Sequence, residues 1–575
     1  MLKRFQKQNW LIPFLISTFV VLFIYRGILA NPSAYLPDRF DFPYYAWLLN
    51  HVLQFITGSH QSLFTTNIFF SFENSYFFSD LLIPQALLGL IPYLLGANPI
   101  FVTNFVIIGT FILNILAAIY LWKNWLKNTW ALSFATLVTA LSPFVLIQRG
   151  HLQMMTTWPF LLIIALLIHK QKTYKSALLI GILWIIQLLG SAYLAIFLIV
   201  CIGWMAILEL IIRPNKKQVF LFYVLLGVTA TALGGPILLK YKMVQQSYGV
   251  TINYGEYITY NAHLSDYLFI PYHTLGQQLS AKWQHFNKHT VGEGAMYPGI
   301  ALIGLAALGL LKYKKQKNTF QLTLPLNITH LFFLGLLVIG GVFSLGPRLF
   351  VNGAYTQLPL PYIVPLKLLP FFTAIRATAR WSWLVYLALG YFSVLGLSIF
   401  KSKRTTTMVS IAAICLFLIE IIPLGSSSFN LSHALNTTDV AIANCQNGDN
   451  SLLIYPITQQ HLEADLYTNL ARKTEHLLKS TQHSCHLVNG YGGFEPPAYK
   501  QLENDLNLAI QNNDLPTFIT LAQQKGITMI LLESKFLAEE NKIYLDTVLH
   551  DVSLENEVNA TIIEEQTDNW YLLKL

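Results

Sequence analysis

Two carboxylates stand three residues apart in the stretch Pro37–Trp47. Asp38 and Asp41 flank Arg39, and Tyr44, Tyr45 and Trp47 follow. The stretch begins about a dozen residues after the first long apolar run, Leu11 to Tyr25. A carboxylate at the edge of a bilayer can take a proton from an acceptor hydroxyl arriving from water, while a lipid-borne substrate arrives from the membrane. The segment Phe42–Phe55 is aromatic and amphipathic, which predicts a helix lying in the membrane–water interface. The plainer alternative is that both acids are solvated loop residues.

Three cationic groups could meet a lipid phosphate. Arg149 and His151 lie in the turn Arg149-Gly150-His151-Leu152-Gln153 between two apolar runs. Ionisable groups at membrane depth are costly and often functional. Arg376 and Arg380 are four apart and would share a face if their segment is helical. Arg348 follows Ser344-Leu345-Gly346-Pro347. Guanidinium forks suit phosphate oxygens; the alternative is cations reaching for lipid headgroups. Glu256, His263, Asp266 and Glu293 are scattered among tyrosines without diagnostic spacing. Glu73 and Asp80 are further acids before residue 98, and Asp80 is a candidate ligand for a divalent metal ion. Glu420, inside an apolar run, can pair within a bundle. Asn489–Pro497 is a turn-rich loop whose glycines permit unusual backbone angles; it suits a structural or acceptor-facing role.

Composition sets the elements that must hold these groups. The chain has 575 residues, 54% hydrophobic and only 11% charged, with mean hydropathy +0.49. A soluble domain carries about 25% charged residues, so this reads as a polytopic helical membrane protein. The net charge of +9 sits in short loops between apolar runs, which argues for membrane orientation and against nucleic-acid binding. No Walker loop, GxGxxG, HExxH or CxxC occurs. Cys445 and Cys485 both fall in the polar C-terminal region and could pair if it is outside the cell.

Eleven spans are expected, at 10–30, 99–122, 130–148, 152–169, 177–190, 192–212, 218–239, 298–311, 327–345, 381–400 and 405–424. Every second loop is basic, which places the first loop (31–98) and the segments 240–297 and 346–380 outside. Leu81–Leu95 is short and broken by Pro84 and Pro92, so it is expected to lie in the membrane plane. From about 425 polar residues dominate. Strands at Ser451–Tyr455 and Thr528–Glu533, helices at Tyr499–Gln511 and Leu515–Lys525, and a closing strand at Trp570–Leu575 predict a small extracytoplasmic α/β domain, 425–575, after a transmembrane module, 1–424.

The order of short motifs resembles bacterial membrane glycosyltransferases of the GT-C fold. They are Asp41 with Tyr45 and Trp47, Ser142-Pro143-Phe144, Arg149–Gln153, Trp158-Pro159, Ser191-Ala192-Tyr193, Tyr297-Pro298-Gly299, Ser344–Pro347 and Ile375–Arg380. The resemblance covers nearly the whole chain. Asn489-Gly490-Tyr491 with Phe494 and Pro496 resembles the external domain of one branch of that family. The resemblance implies a polyprenyl-phosphate-linked sugar as donor and a glycan, lipid or protein as acceptor. It implies a first-loop acid as catalytic base; Asp41 matches that place best and Asp38 is second. Tyr193 joins Arg149, His151, Arg348, Arg376 and Arg380 as expected substrate contacts. The implied location is the plasma membrane. A transporter and a non-catalytic polysaccharide-binding scaffold are the alternatives from other classes. No internal repeat of spans supports the former.

Overall fold

The computed structural model describes residues 10–60, 62–168, 171–252, 254–268, 270, 274–280, 295–310, 313–316, 319–322, 327–351, 354–423, 425, 428–435, 445, 450–458, 466–483, 485–549, 560–566 and 570–575. Glu293 lies outside them. The chain divides into two compact units. The first comprises Met1–Arg26, Ile107–Ile237 and Ile252–Ser426; the second comprises Gly27–Val106, Leu238–Thr251 and Ser427–Leu575. One crossing point falls between Ile237 and Leu238, one residue past Pro236, inside the helix Lys216–Ser247. The C-terminal segment therefore shares its unit with the first loop.

Each expected apolar run contains helix, but helix length supports fewer crossings than eleven. Pro99–Trp122, Ala192–Ile212, Lys216–Ser247 and Lys403–Ile421 are long and apolar enough to cross a membrane. Thr129–Ala140 with Pro143–Gly150, bent by 42°, would make a fifth. Leu11–Ile24, Leu152–Leu167, Tyr174–Gly190, Ile300–Leu310 and Ile328–Ser344 are apolar but shorter. Local chemistry sets these limits. Ser142 accepts from Val145 N just before Pro143, and Ser191 accepts from Leu194 N between two long helices. Such side chains cap a new helix and so end the previous one.

In the first unit the helices Ile300–Leu310 and Ser382–Leu397 meet backbone to backbone. A Cβ on Gly309 would lie 1.9 Å from the Phe392 carbonyl oxygen, and one on Gly396 2.0 Å from that of Leu305. Small residues allow this approach, and close packing holds helices together where no water drives them. Glu420 pairs within the bundle: it accepts from Tyr297 Oη at 3.0 Å and from Ile300 N at 3.1 Å, so it caps the start of Ile300–Leu310. Lys172 bonds Glu209 at 3.3 Å with its side chain 2% exposed, so this loop cation is used for packing.

In the second unit a five-stranded sheet has the spatial order Thr561–Gln566, Trp570–Lys574, Met529–Leu532, Ser451–Tyr455, His486–Leu487. The last three strands run parallel, and the Trp570–Lys574 strand pairs antiparallel to Met529–Leu532. The helix Pro497–Gln511 buries Leu502, Leu506 and Ala509, the face that their spacing predicts. Cys445 and Cys485 are joined as a disulfide.

The first-loop helix is Asp41–Ile56, and every residue from Phe42 to Leu53 is buried. Its aromatic rings are used for packing inside the protein. Tyr44 stacks on Trp47, Trp47 stacks on His51, and Trp47 Nε1 donates to Asn67 Oδ1 at 2.9 Å. The run 81–95 forms two short helices, Ile83–Leu88 and Leu90–Leu94, with Gly89 at the break. A Cβ there would lie 2.7 Å from a Val102 methyl.

Candidate functional site

Asp38 is a cap. Its Oδ1 accepts from the backbone N–H groups of Phe40 (2.8 Å), Asp41 (3.0 Å) and Phe42 (3.2 Å). These are donors that an α-helix leaves unsatisfied at its start. Burial, with the Asp41 charge adding, pushes the Asp38 carboxyl up to about 7 against those three donors. Asp38 thus orients the first turn of the helix that presents Asp41.

Asp41 has a different partner. Tyr491 Oη donates to Asp41 Oδ1 at 2.6 Å, across 450 positions of sequence. The Tyr491 ring meets Tyr44 edge-on at 5.3 Å. The loop carrying Tyr491 is fixed from both sides. Asn489 mimics a strand neighbour, accepting from Ile454 N and donating to Ile454 O, each at 2.8 Å. Gly490 N donates to Tyr499 Oη at 3.2 Å. The glycines serve close approach and not the unusual angles expected from sequence. A Cβ on Gly490 would lie 2.3 Å from the Phe69 ring, and Gly492 and Gly493 pack against the Phe78 carbonyl. None of the three has positive φ.

Tyr44 and Tyr45 complete the surroundings. Burial first, and then the charges of Asp41 and Asp80, hold both phenols far above their ordinary range. They therefore stay protonated and remain hydrogen-bond donors. Asp80 thus belongs to the same electrostatic neighbourhood as Asp41. The sequence alone shows Tyr44 and Tyr45 beside Asp41 and Tyr491 in the Asn-Gly-Tyr-Gly-Gly run, but assigns none of the three to the site. Among the described residues the one cluster of three potential metal ligands is Cys445, His483 and Cys485. Both its sulfurs are consumed in the disulfide, so it offers no thiolate.

The arginines lie in the first unit. Arg376 sits in irregular chain between the 3-10 turns Pro370–Ala374 and Thr378–Trp381. The expectation that Arg376 and Arg380 share a helical face is therefore corrected. Tyr193 relates them instead. Its Oη accepts from Arg376 N at 3.1 Å, and the Arg380 guanidinium lies over its ring at 5.1 Å. Arg376 pairs with Glu256 at 3.6 Å and lies over Tyr260 at 5.6 Å; both partners of the ion pair are about two-fifths exposed. Arg348 lies over Tyr254 at 5.8 Å. His263 stacks on Phe350 at 3.8 Å, and Asp266 accepts from His263 N at 2.7 Å, so these two hold the loop. Arg149 is in the 3-10 turn Gln148–Gly150, and His151 opens the helix Leu152–Met155. Ser191 Oγ donates to Met154 Sδ at 3.8 Å, which ties that helix to the start of the one bearing Tyr193.

Residues 53–421 match the family described as "Domain of unknown function (DUF6311)". Among curated proteins none matches this chain by sequence. Two solved structures of the arabinofuranosyltransferase AftD from Mycobacteria share the fold. One aligns at 13% identity with a TM-score of 0.55 over 98% of this chain and 39% of that chain. The other, a mutant form, gives 0.56 at the same identity over 98% and 41%. The chain thus spans about two-fifths of the length of these proteins. The oligosaccharyltransferase AglB from Archaeoglobus fulgidus aligns at 11% identity and TM-score 0.48, over 92% of this chain and 70% of that chain.

Proposed function

The chain belongs to the DUF6311 family and resembles GT-C membrane glycosyltransferases in fold, and we propose that it transfers a sugar from a polyprenyl-phosphate donor to an extracytoplasmic glycan, lipid or protein acceptor. The observation that carries this reading is the Asp41 carboxylate, fixed by Tyr491 at 2.6 Å at the start of a buried helix. A base must be held in place to act on one hydroxyl.

In a single displacement the acceptor oxygen bonds to the anomeric carbon while the bond from that carbon to the phosphate oxygen breaks. The hydroxyl proton goes to Asp41, the electron pair leaves on the polyprenyl phosphate, and the anomeric centre inverts. The leaving group is already an anion and needs cations more than a general acid. Arg376 and Arg380, with Arg348, Arg149 and His151, have the chemistry to bind the donor phosphate, and Tyr193 aligns the first two. Asp80 is the proposed ligand for a divalent metal ion; a hard carboxylate oxygen suits Mg2+ or Mn2+. Such an ion would supply positive charge for the donor phosphate. The proposed location is the plasma membrane with residues 425–575 outside.

The test is a transfer assay on purified variants, paired with lipid extracts from cells lacking the gene. Loss of transfer in Asp41→Asn and accumulation of a polyprenyl-phosphate sugar support the reading. Full activity in Asp41→Asn and Asp38→Asn together would remove the first loop from the chemistry.

A further inference from the structure

One cavity in the second unit has no part in the chemistry above. It holds about 360 Å³, near the lower end of the roughly 300–1,000 Å³ range of ligand sites. Its walls come from Arg39, the strand Phe429–Asn430, the helix Leu466–Lys479 and the turn Ser534–Phe536. Thr474 Oγ1 donates to the Arg39 carbonyl at 3.3 Å. The wall is therefore pinned to the residue between Asp38 and Asp41.

The lining is cationic. Arg39, Arg472, Lys479 and Lys535 outnumber Glu475 and Glu533. Arg472 is committed: its Nε donates to Glu533 Oε2 at 2.9 Å, its Nη2 donates to the Pro456 carbonyl, and it lies over the Phe536 ring at 4.6 Å. Glu475 is shared by His433 at 3.0 Å and Lys479 at 3.9 Å. Arg39 and Lys535 line the cavity, are exposed, and have no ion pair among the described residues. His476 also lines it, only 6% exposed. Its Nε2 faces Glu533 Oε2 at 3.4 Å, and both ring nitrogens are closed off from solvent, so it shapes the wall beside Glu533. Burial lowers the pKa of this imidazole against the pull of Glu533.

We propose that this cavity binds an anionic saccharide unit, one bearing a carboxylate or a phosphate, within the acceptor glycan. The assignment to the acceptor rests on the glycosyltransferase reading; the binding itself does not. Arg39 and Lys535 take the anionic group, Glu475 takes ring hydroxyls, and the partly exposed Phe429 ring offers a face to sugar C–H groups. An inorganic ion would leave most of the volume empty.

The test is calorimetric titration of the full chain in detergent with four probes. These are a uronate-containing tetrasaccharide, a tetrasaccharide bearing a phosphomonoester, the neutral parent tetrasaccharide and inorganic phosphate. At least one charged tetrasaccharide is expected to bind about tenfold or more tightly than the neutral parent, since charged hydrogen bonds contribute that much. The stronger of the two identifies the source of the charge. Arg39→Gln combined with Lys535→Gln changes exposed side chains only, and is expected to weaken binding by about tenfold or more. Asp41→Asn should bind as the parent does; a parent chain that binds a charged tetrasaccharide yet transfers no sugar would leave this site standing while the enzymatic reading falls. Equal binding of the neutral tetrasaccharide, unchanged binding in the double variant, or equal binding of inorganic phosphate would overturn the proposal. Displacement of the saccharides by phosphatidylglycerol vesicles would likewise overturn it, in favour of a lipid site.

Discussion

Asp41 in the second unit and the pair Arg376 and Arg380 in the first are each organised by one tyrosine, but through different atoms. Tyr491 donates its hydroxyl proton to the Asp41 carboxylate itself, whereas Tyr193 accepts from the backbone of Arg376 and lies under the guanidinium of Arg380. A carboxylate that must move a proton is held at its reactive atom, beside buried aromatics. Arg376 is held by its backbone and by the Tyr260 ring, and its fork, 42% exposed, pairs with Glu256 at 3.6 Å. A base needs exact placement within hydrogen-bond reach, and a point of positive charge tolerates more movement. The comparison leads to a ranking of effects.

The largest belongs to Asp41. Asp41→Asn keeps the shape and removes the proton acceptor, so kcat is expected to fall roughly 100- to 10,000-fold with donor affinity unchanged. A dead Asp38→Asn beside an active Asp41→Asn would exchange the two roles. On the other side, Arg376→Lys keeps the charge and loses the fork, and donor KM is expected to rise about tenfold. Steady-state kinetics separate the two patterns, kcat for the acid and KM for the arginine. If both variants changed the same parameter, the contrast between the regions would collapse.

Tyr491→Phe sharpens the same contrast. It keeps the ring against Tyr44 and removes one hydrogen bond to a charged group, so kcat is expected to fall about tenfold in a folded protein. Tyr193→Phe removes the acceptor for Arg376 N and Ala377 N, and its loss is expected in donor KM. A chelator should lower transfer and added Mn2+ should restore it. Asp80→Asn should raise the Mn2+ concentration needed by about tenfold while leaving the arginine variants' behaviour untouched. Metal-independent transfer would remove Asp80 from the site.

The smallest effect is on stability, through Asp38. Its folded carboxyl stands at about 7, above the ordinary value near 4. The folded state therefore keeps a proton that the unfolded chain loses, and stability falls as pH rises from about 4 to about 7. Asn can accept the same backbone N–H groups and does not titrate. The melting temperature of Asp38→Asn relative to the parent should therefore climb by a few degrees across that window and level off above it. A pH-independent difference would refute the buried titration.

Several elements were legible in advance for clear reasons. The strand Ser451–Tyr455 and the helices Pro497–Gln511 and Leu515–Gln524 lie where local pattern places them. The burial of Leu502, Leu506 and Ala509 follows from helical period alone. The segment Phe42–Phe55 forms the expected helix, and its aromatic rings pack inside the protein. Aromatic composition suits an interface and a packed core equally well. The face shared by Arg376 and Arg380 failed because spacing implies proximity only within a known element, and this segment is irregular chain and 3-10 turn.

Composition and apolar runs by themselves determined a polytopic helical chain with a polar α/β segment at its end, because hydrophobic length and period are local properties. Motif order determined the type of fold. The tertiary structure alone decided that the segment after 426 shares a unit with residues 27–106. It alone joined Tyr491 to Asp41 and made Asp38 a cap and not a second free acid. Such pairings depend on where distant backbone segments meet, and Gly490 lets one of them approach Phe69. No local spacing encodes that meeting.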